Sequence, residues 1–135
     1  MIRRVFNVSD KMRLDCYAIA NSCAGNMEGI YYCLQDWVNK DGRIMFVCEY
    51  NSVVRGFLVG HNIRNLARVD DLYVDRQFQR SGIGTALLRA YEDYSRKNGA
   101  GIISLQSRAT KQAKDFYEKN GFRQISADRF MEKSL

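Results

Sequence analysis

The chain opens on a short apolar run, IRRVFN (2–7), that reads as a strand. Ser9 or Asp10 then offers an N-cap, and Met12, Cys16, Ile19 and Cys23 recur at helical spacing, so a helix runs to near Ala20 and breaks at Gly25-Asn26. A second helical pattern covers Met27 to Val38, with Ile30, Tyr31, Leu34, Trp37 and Val38 on one side, and Asp41-Gly42 turns the chain. Three strand-like runs follow. RIMFVCEY (43–50) and VVRGFLVGH (53–61) flank Asn51-Ser52 as a hairpin, and LARVDDLYVD (66–75) comes next. A helix runs from Ser81 to Lys97, with Ile83, Leu87, Leu88, Tyr91 and Tyr94 inward and Asn98-Gly99 as its stop. GIISLQS (101–107) reads as a central strand, and a last helix runs from Thr110 to Lys119, ended by Asn120-Gly121. FRQIS and RFMEK close the chain as two short strands or a strand and a tail. The order is β-α-α-β-β-β-α-β-α-β-β, and its βαβα portion (66–121) predicts parallel strands with crossover helices.

Composition narrows the class without naming a function. A length of 135 residues, 46% hydrophobic and 27% charged, predicts a single soluble globular domain spanning 1–135. No apolar run approaches the about 18 residues that span a bilayer, and the N-terminus lacks the apolar core of a secretory signal. The expectation is a cytoplasmic protein without a membrane partner. The net charge of +6 admits nucleic acid, a membrane surface or an anionic small ligand, but Lys and Arg are spread along the chain with no long run. Nucleic acid, including an RNA-bound aminoacyl substrate, is accordingly a minor reading. Cys16, Cys23, Cys33 and Cys48 form no CxxC pair and His61 is the only histidine, so no metal site is expected. Each cysteine sits in an apolar neighbourhood and reads as a reduced, buried thiol.

The candidate chemistry lies in QRSGIGTALL (79–88), at a strand-to-helix junction. Two glycines at a helix start weaken the helix by up to about 1 kcal/mol each. A helix N-terminus, however, presents unpaired N–H groups and a partial positive charge, a seat for phosphate, and glycines there let a ligand reach the main chain. Arg80 and Ser81 add donors and Arg76 adds charge. The alternative is close packing of helix on strand. Neither common nucleotide motif fits: no Lys completes a Walker loop, and Leu87 stands where a dinucleotide fingerprint needs its third glycine.

Gln79-Arg80-Ser81-Gly82-Ile83-Gly84 resembles the Q/R-x-x-G-x-G/A signature of the GNAT superfamily, the acyl-CoA-dependent N-acyltransferases. DLYVDRQFQRSGIGTALL (71–88) is similar to the whole strand–loop–helix segment of that family, and AKDFYEKNGF (113–122) to its later helix. The resemblance implies an α/β, three-layer fold with a mixed, mostly antiparallel central sheet in which parallel strands 4 and 5 splay apart. It implies acetyl-CoA as acyl donor, with the amides of Arg80, Ser81, Gly82, Ile83, Gly84 and Thr85, beside Gln79, holding its pyrophosphate. The main chain of Leu72, Tyr73 and Val74 would pair with the pantetheine arm like an added strand. The Val74 amide would face the thioester carbonyl. Ala113 and Phe116 would line the groove, and Tyr117 would protonate the leaving thiolate. Two departures are visible: Asp75 stands where many members carry proline, and Thr110 where an asparagine often touches pantetheine. Ala113, Phe116 and Tyr117 also have the spacing of an ordinary core face.

An attacking amine must shed a proton, which a carboxylate can accept. By the resemblance Asp70 is the first candidate base and Asp71 the second; strand alternation would put them on opposite faces. The competing role is pairing with Arg68 or a neighbouring strand. Glu49 and Glu28 are weaker candidates for holding a cationic amine. Tyr31, Tyr32, Gln35, Asp36 and Trp37 form a possible wall for the acceptor or simply core. The reading is an N-acetyltransferase acting on a primary amine of a small molecule, peptide N-terminus or lysine. A non-catalytic acyl-CoA sensor is the alternative. The acceptor, the acyl chain and the oligomeric state, monomer or homodimer, stay open.

Overall fold

A computed structural model describes residues 1–25, 34–38 and 40–135. Seven strands form one sheet in the order β1-β2-β3-β4-β5-β7-β6: β1 (Ile2–Arg4), β2 (Arg43–Tyr50), β3 (Val53–Ile63), β4 (Leu66–Val74), β5 (Ile102–Gln106), β6 (Arg123–Gln124) and β7 (Phe130–Ser134). Every pairing is antiparallel except β4 with β5. The C-terminal segment is two strands, and β7 inserts between β5 and β6. The β2–β3 hairpin turns on Asn51 and Ser52 with φ of 52° and 63°, the paired positive values that a right-twisted two-residue turn demands.

Helices cover both faces. α1 (Asp10–Ala24) starts at Ser9, whose hydroxyl accepts the Met12 N–H, and buries Met12, Cys16 and Ile19 on one face of the sheet. Residues 34–38 are helical on the same side, with Leu34 buried and Trp37 half-buried. The rest of the second predicted helix, with Glu28, Tyr31, Tyr32 and Cys33, lies outside the described residues. On the other face lie α2 (Ile83–Lys97), burying Ile83, Leu87, Leu88 and Tyr91, and α3 (Lys111–Lys119), whose Phe116 and Tyr117 pack on the same cluster. Gly56 on β3 makes room for α2: a Cβ there would stand 2.8 Å from the Ile83 side chain. No helix among the described residues is long and apolar enough to cross a membrane.

Two irregularities shape the middle of the sheet. β4 and β5 pair only over Leu66–Arg68 and Ile102–Ser104, so beyond Arg68 β4 continues to Val74 paired with β3 on one side and without β5 on the other. The parallel pair therefore opens into a gap toward its C-terminal ends. β3 and β4 also slip register: Val59 faces Asp71 and Gly60 faces Val69, leaving Asp70 as the extra residue of a bulge.

Candidate active site

The bulge corrects the alternation expected for the two acids. Val69 and Leu72 both pack toward α2, so the two residues between them turn to the other face. Asp70 reaches His61, whose ring stands edge-on to Trp37 on the α1 side, and Tyr73 packs there against Phe57. Asp70 and Asp71 thus share one face. Their states differ. Asp70 Oδ2 lies 2.6 Å from His61 Nδ1, with Arg68 Nε 3.8 Å from its other oxygen. The Asp71 carboxylate has no hydrogen bond or ion pair among the described residues. Burial, then the charge of Asp70, pushes its carboxyl up to about 6.

The register also decides which main-chain groups face the gap. Asp75 N–H donates to Arg55 C=O on β3 at 2.7 Å, which makes Gly56–Val74 a non-hydrogen-bonded pair. Leu58–Leu72, two residues on, is the same kind of pair. The N–H and C=O of Leu72 and Val74 therefore point away from β3 into the opening. Val74 C=O is engaged by Gln79 Nε2 at 3.2 Å and by Cys23 Sγ at 3.5 Å, while neither amide has a protein acceptor among the described residues.

Beyond β4, Asp75 takes the place of the family's proline. One carboxylate oxygen accepts the Gln77 N–H at 3.1 Å and starts the 3-10 turn Arg76–Phe78; the other holds Arg55 at 3.1 Å. Arg80 and Gly82 both adopt positive φ, 64° and 88°, and turn the chain into α2. No amide from Arg80 to Thr85 has a protein acceptor among the described residues; the first helical bond is Ala86 N–H to Gly82 C=O. The two glycines have different tasks. A Cβ on Gly82 would meet nothing within 4 Å, leaving the main chain open, whereas one on Gly84 would lie 3.0 Å from Phe116 Cζ. Gly84 therefore serves packing of α2 on α3, a helix-on-helix contact rather than the helix-on-strand packing weighed for this loop, and Gly82 leaves the main chain open.

The gap and the cradle join in one groove of about 940 Å³. Of the expected residues, Leu72, Tyr73, Val74, Gln79, Arg80, Gly82, Ile83, Gly84, Thr85, Thr110, Ala113, Phe116 and Tyr117 line it. Ser81, Asp70 and Asp71 do not: the Ser81 hydroxyl donates to Phe78 C=O, and the two acids lie on the α1 face of β4, with Asp71 near enough to the lining Tyr73 and Tyr117 to raise both phenols. The Thr110 hydroxyl caps α3 by accepting Ala113 N–H at 3.1 Å. Tyr117 is wedged edge-on between Phe116 and Phe122, and burial, then Tyr73 and Asp71, pushes its phenol up to about 12. Glu49 sits away from the groove, paired with Arg3 at 2.5 Å, and Gln35 accepts Val8 N–H at 2.6 Å.

Sequence reasoning missed several lining residues. Arg89, Arg108 and Lys119 join Arg76 and Arg80 around the groove, against one lining carboxylate among the described residues, Asp115, itself paired with Lys111 at 2.6 Å. Arg108 was legible in principle, since it follows the carboxyl end of β5 where parallel strands part. Its guanidinium donates to Cys23 C=O at 3.1 Å and Arg76 donates to Ser22 C=O at 3.0 Å, two cations on the negative end of α1. Cys23 corrects the expectation for the cysteines: Cys16 and Cys48 are buried, but Cys23 is half-buried and faces the groove.

The groove thus joins an open strand edge to a helix start with open main chain, and cations surround it. Residues 13–122 match the family model described as Acetyltransferase (GNAT) family, and the chain belongs to that family. An N-acetyltransferase of Methanocaldococcus jannaschii is 36% identical over 92 residues, which cover 62% of this chain and 40% of that protein. The matched region thus spans less than half of that relative. The PaiA N-acetyltransferase of Thermoplasma acidophilum, solved in complex with coenzyme A, superposes with a TM-score of 0.78 at 22% identity, covering 100% of this chain and 99% of that one. An aminoglycoside 6'-N-acetyltransferase complexed with coenzyme A gives a TM-score of 0.87 at 15% identity, covering 99% and 96%. At these identities the likeness is one of fold.

Proposed function

We propose that the protein transfers the acetyl group of acetyl-CoA to a primary amine by direct attack. The observation that carries this is the pair of free amides on Leu72 and Val74, in line with the free amides of Arg80–Thr85. The first set suits the amide-bearing pantetheine arm and the second its pyrophosphate, with Arg76, Arg80 and Arg89 as counter-charges. The fit is supported by Gly82, where no side chain fills the seat.

The chemistry needs three services from the chain. Amides of the open edge stabilise the negative charge that grows on the thioester oxygen as the C–N bond forms; Leu72, farther from the phosphate seat than Val74, shares this role. Asp71 accepts the proton that the amine must lose. A carboxyl near 6 is ionised at neutral pH yet basic enough to take it. Tyr117 hydrogen-bonds the sulfur as the C–S bond breaks. A phenol near 12 keeps its proton against a thiolate whose conjugate acid has a pKa of about 8.5, so Tyr117 stabilises the departing thiolate rather than surrendering its proton to it. This adjusts the role implied by the family likeness.

The test mixes protein and acetyl-CoA with polyamines, aminoglycosides, amino acids and peptides and follows free thiol. Thiol release that depends on one amine class is expected. Tight CoA binding with no turnover on any amine would replace this reading by the acyl-CoA sensor.

A further inference from the structure

His61 is the only histidine of the chain, and the acid it binds neighbours the carboxylate assigned above as base. Three features hold it there. Its Nδ1 lies 2.6 Å from Asp70 Oδ2. Its ring stands 6.2 Å from that of Trp37 at 82°, and Trp37 is covered in turn by the Arg43 guanidinium at 4.1 Å. Its carbonyl lies 3.0 Å from the Tyr91 hydroxyl, which also sits 3.1 Å from the carbonyl of Arg68 across the bulge. Gly60 allows this last arrangement, because a Cβ there would stand 2.7 Å from the Tyr91 ring. His61 and Asp70 keep only 17% and 20% of their side-chain surface exposed, so neither swings freely into solvent.

Two adjacent carboxylates on one face would ordinarily share a proton and titrate as a unit. Here the bulge has created that adjacency and His61 has broken its symmetry. Asp70 accepts from His61 and faces Arg68; Asp71 has neither partner. Among the described residues, the ionisable groups that feel the charge of Asp71 besides Asp70 are Tyr73 on its own strand and Tyr117 on α3; Arg108 after β5 and Cys23 at the end of α1 stand beside Tyr73.

We infer that His61 is a positioning residue for acetyl transfer: by holding Asp70 through Nδ1 it keeps that acid a fixed negative charge and leaves Asp71 as the single carboxylate that takes the substrate's proton. This rests on reading the groove as an acetyltransferase site. A histidine that merely ties β3 to β4 would affect stability without altering how the two acids divide the proton.

The experiment follows the side-chain carboxyl carbons of Asp70 and Asp71 by NMR across pH, beside the pH dependence of kcat/KM, in wild type, His61→Asn and His61→Leu. In wild type Asp71 titrates alone at the upper value. His61→Leu makes both curves biphasic, raises the upper apparent pKa by about half a unit and moves the acid limb of kcat/KM with it, while KM for acetyl-CoA is unchanged. His61→Asn, which retains an N–H near the Nδ1 position, stays with wild type. If the Leu variant does not fold, His61→Gln, whose amide sits one bond farther out, takes its place. A folded Leu or Gln variant in which Asp71 still titrates alone, at the wild-type value, overturns the inference. A wild-type protein that acetylates no amine counts against the acetyltransferase reading instead, and the carboxyl titrations still decide whether His61 separates the two acids.

Discussion

Replacing Asp71 by Asn keeps the shape of the side chain and removes its charge, which makes stability as well as activity informative. The carboxyl stands at about 6 in the fold against an ordinary 3.8. The folded state therefore binds the proton more tightly than the unfolded chain, and stability falls as pH rises between those two values. Below 3.8 both states are protonated and the cost is absent; above 6 it is fully present. At about 1.4 kcal/mol per pKa unit, the gap corresponds to up to about 3 kcal/mol. Asp71→Asn should thus be more stable than wild type at pH 7 by up to about 2.5 kcal/mol relative to their difference at pH 4, where part of the cost is already present, or roughly 10 °C in Tm for a domain of this size. Urea titrations of both proteins at pH 4 and pH 7 measure this directly. Comparing across pH cancels whatever the Asn amide gains or loses in local contacts. The same variant should lose acetyl transfer at pH 7, so the stability gain and the activity loss come from one carboxylate. A stability difference that does not change with pH would refute the argument, because it would mean that Asp71 is not held in its costly charged form.

Three further outcomes test the groove. Gly82→Glu puts a carboxylate where no side chain now stands, in a cradle of free amides, and should abolish CoA binding by calorimetry; undiminished affinity in a folded variant would remove the phosphate assignment. Gly84→Leu drives a side chain into Phe116, 3.0 Å from the new Cβ, and should cost about 1–3 kcal/mol in denaturant unfolding while weakening CoA binding only secondarily. Tyr117→Phe removes one hydrogen bond to a developing thiolate and should lower kcat by about ten- to a hundredfold with little change in KM for acetyl-CoA; equal turnover would make the tyrosine structural.

Most of the element order was legible because local signals agreed with the periodicity. Ser9 caps α1 as its position suggested, Asn51-Ser52 turns the hairpin, and Asn98-Gly99 and Asn120-Gly121 end α2 and α3. The groove was legible for a different reason: a helix start with open main chain needs particular residues at particular offsets, and the family likeness supplied the strand before it and the helix after it. The roles of the acids were not legible. A one-residue slip in register leaves no mark on hydrophobic alternation when the residues concerned are both Asp. The one available signal was Gly60 inside an otherwise apolar strand, a usual mark of a bulge or a close backbone approach.

Strand and helix identity, the glycine-bearing loop before α2 and the likeness to the GNAT family thus belong to the sequence by itself, because each depends on residues near one another in the chain. The tertiary structure alone decided how far β4 and β5 part, which amides face the gap and which glycine serves ligand or packing. It also decided that Asp70 is taken by His61 and Asp71 is not. Those outcomes depend on register between strands and on groups such as the Arg108 guanidinium and the Cys23 carbonyl, 85 residues apart in the chain, meeting across the opening. No local pattern encodes such a meeting.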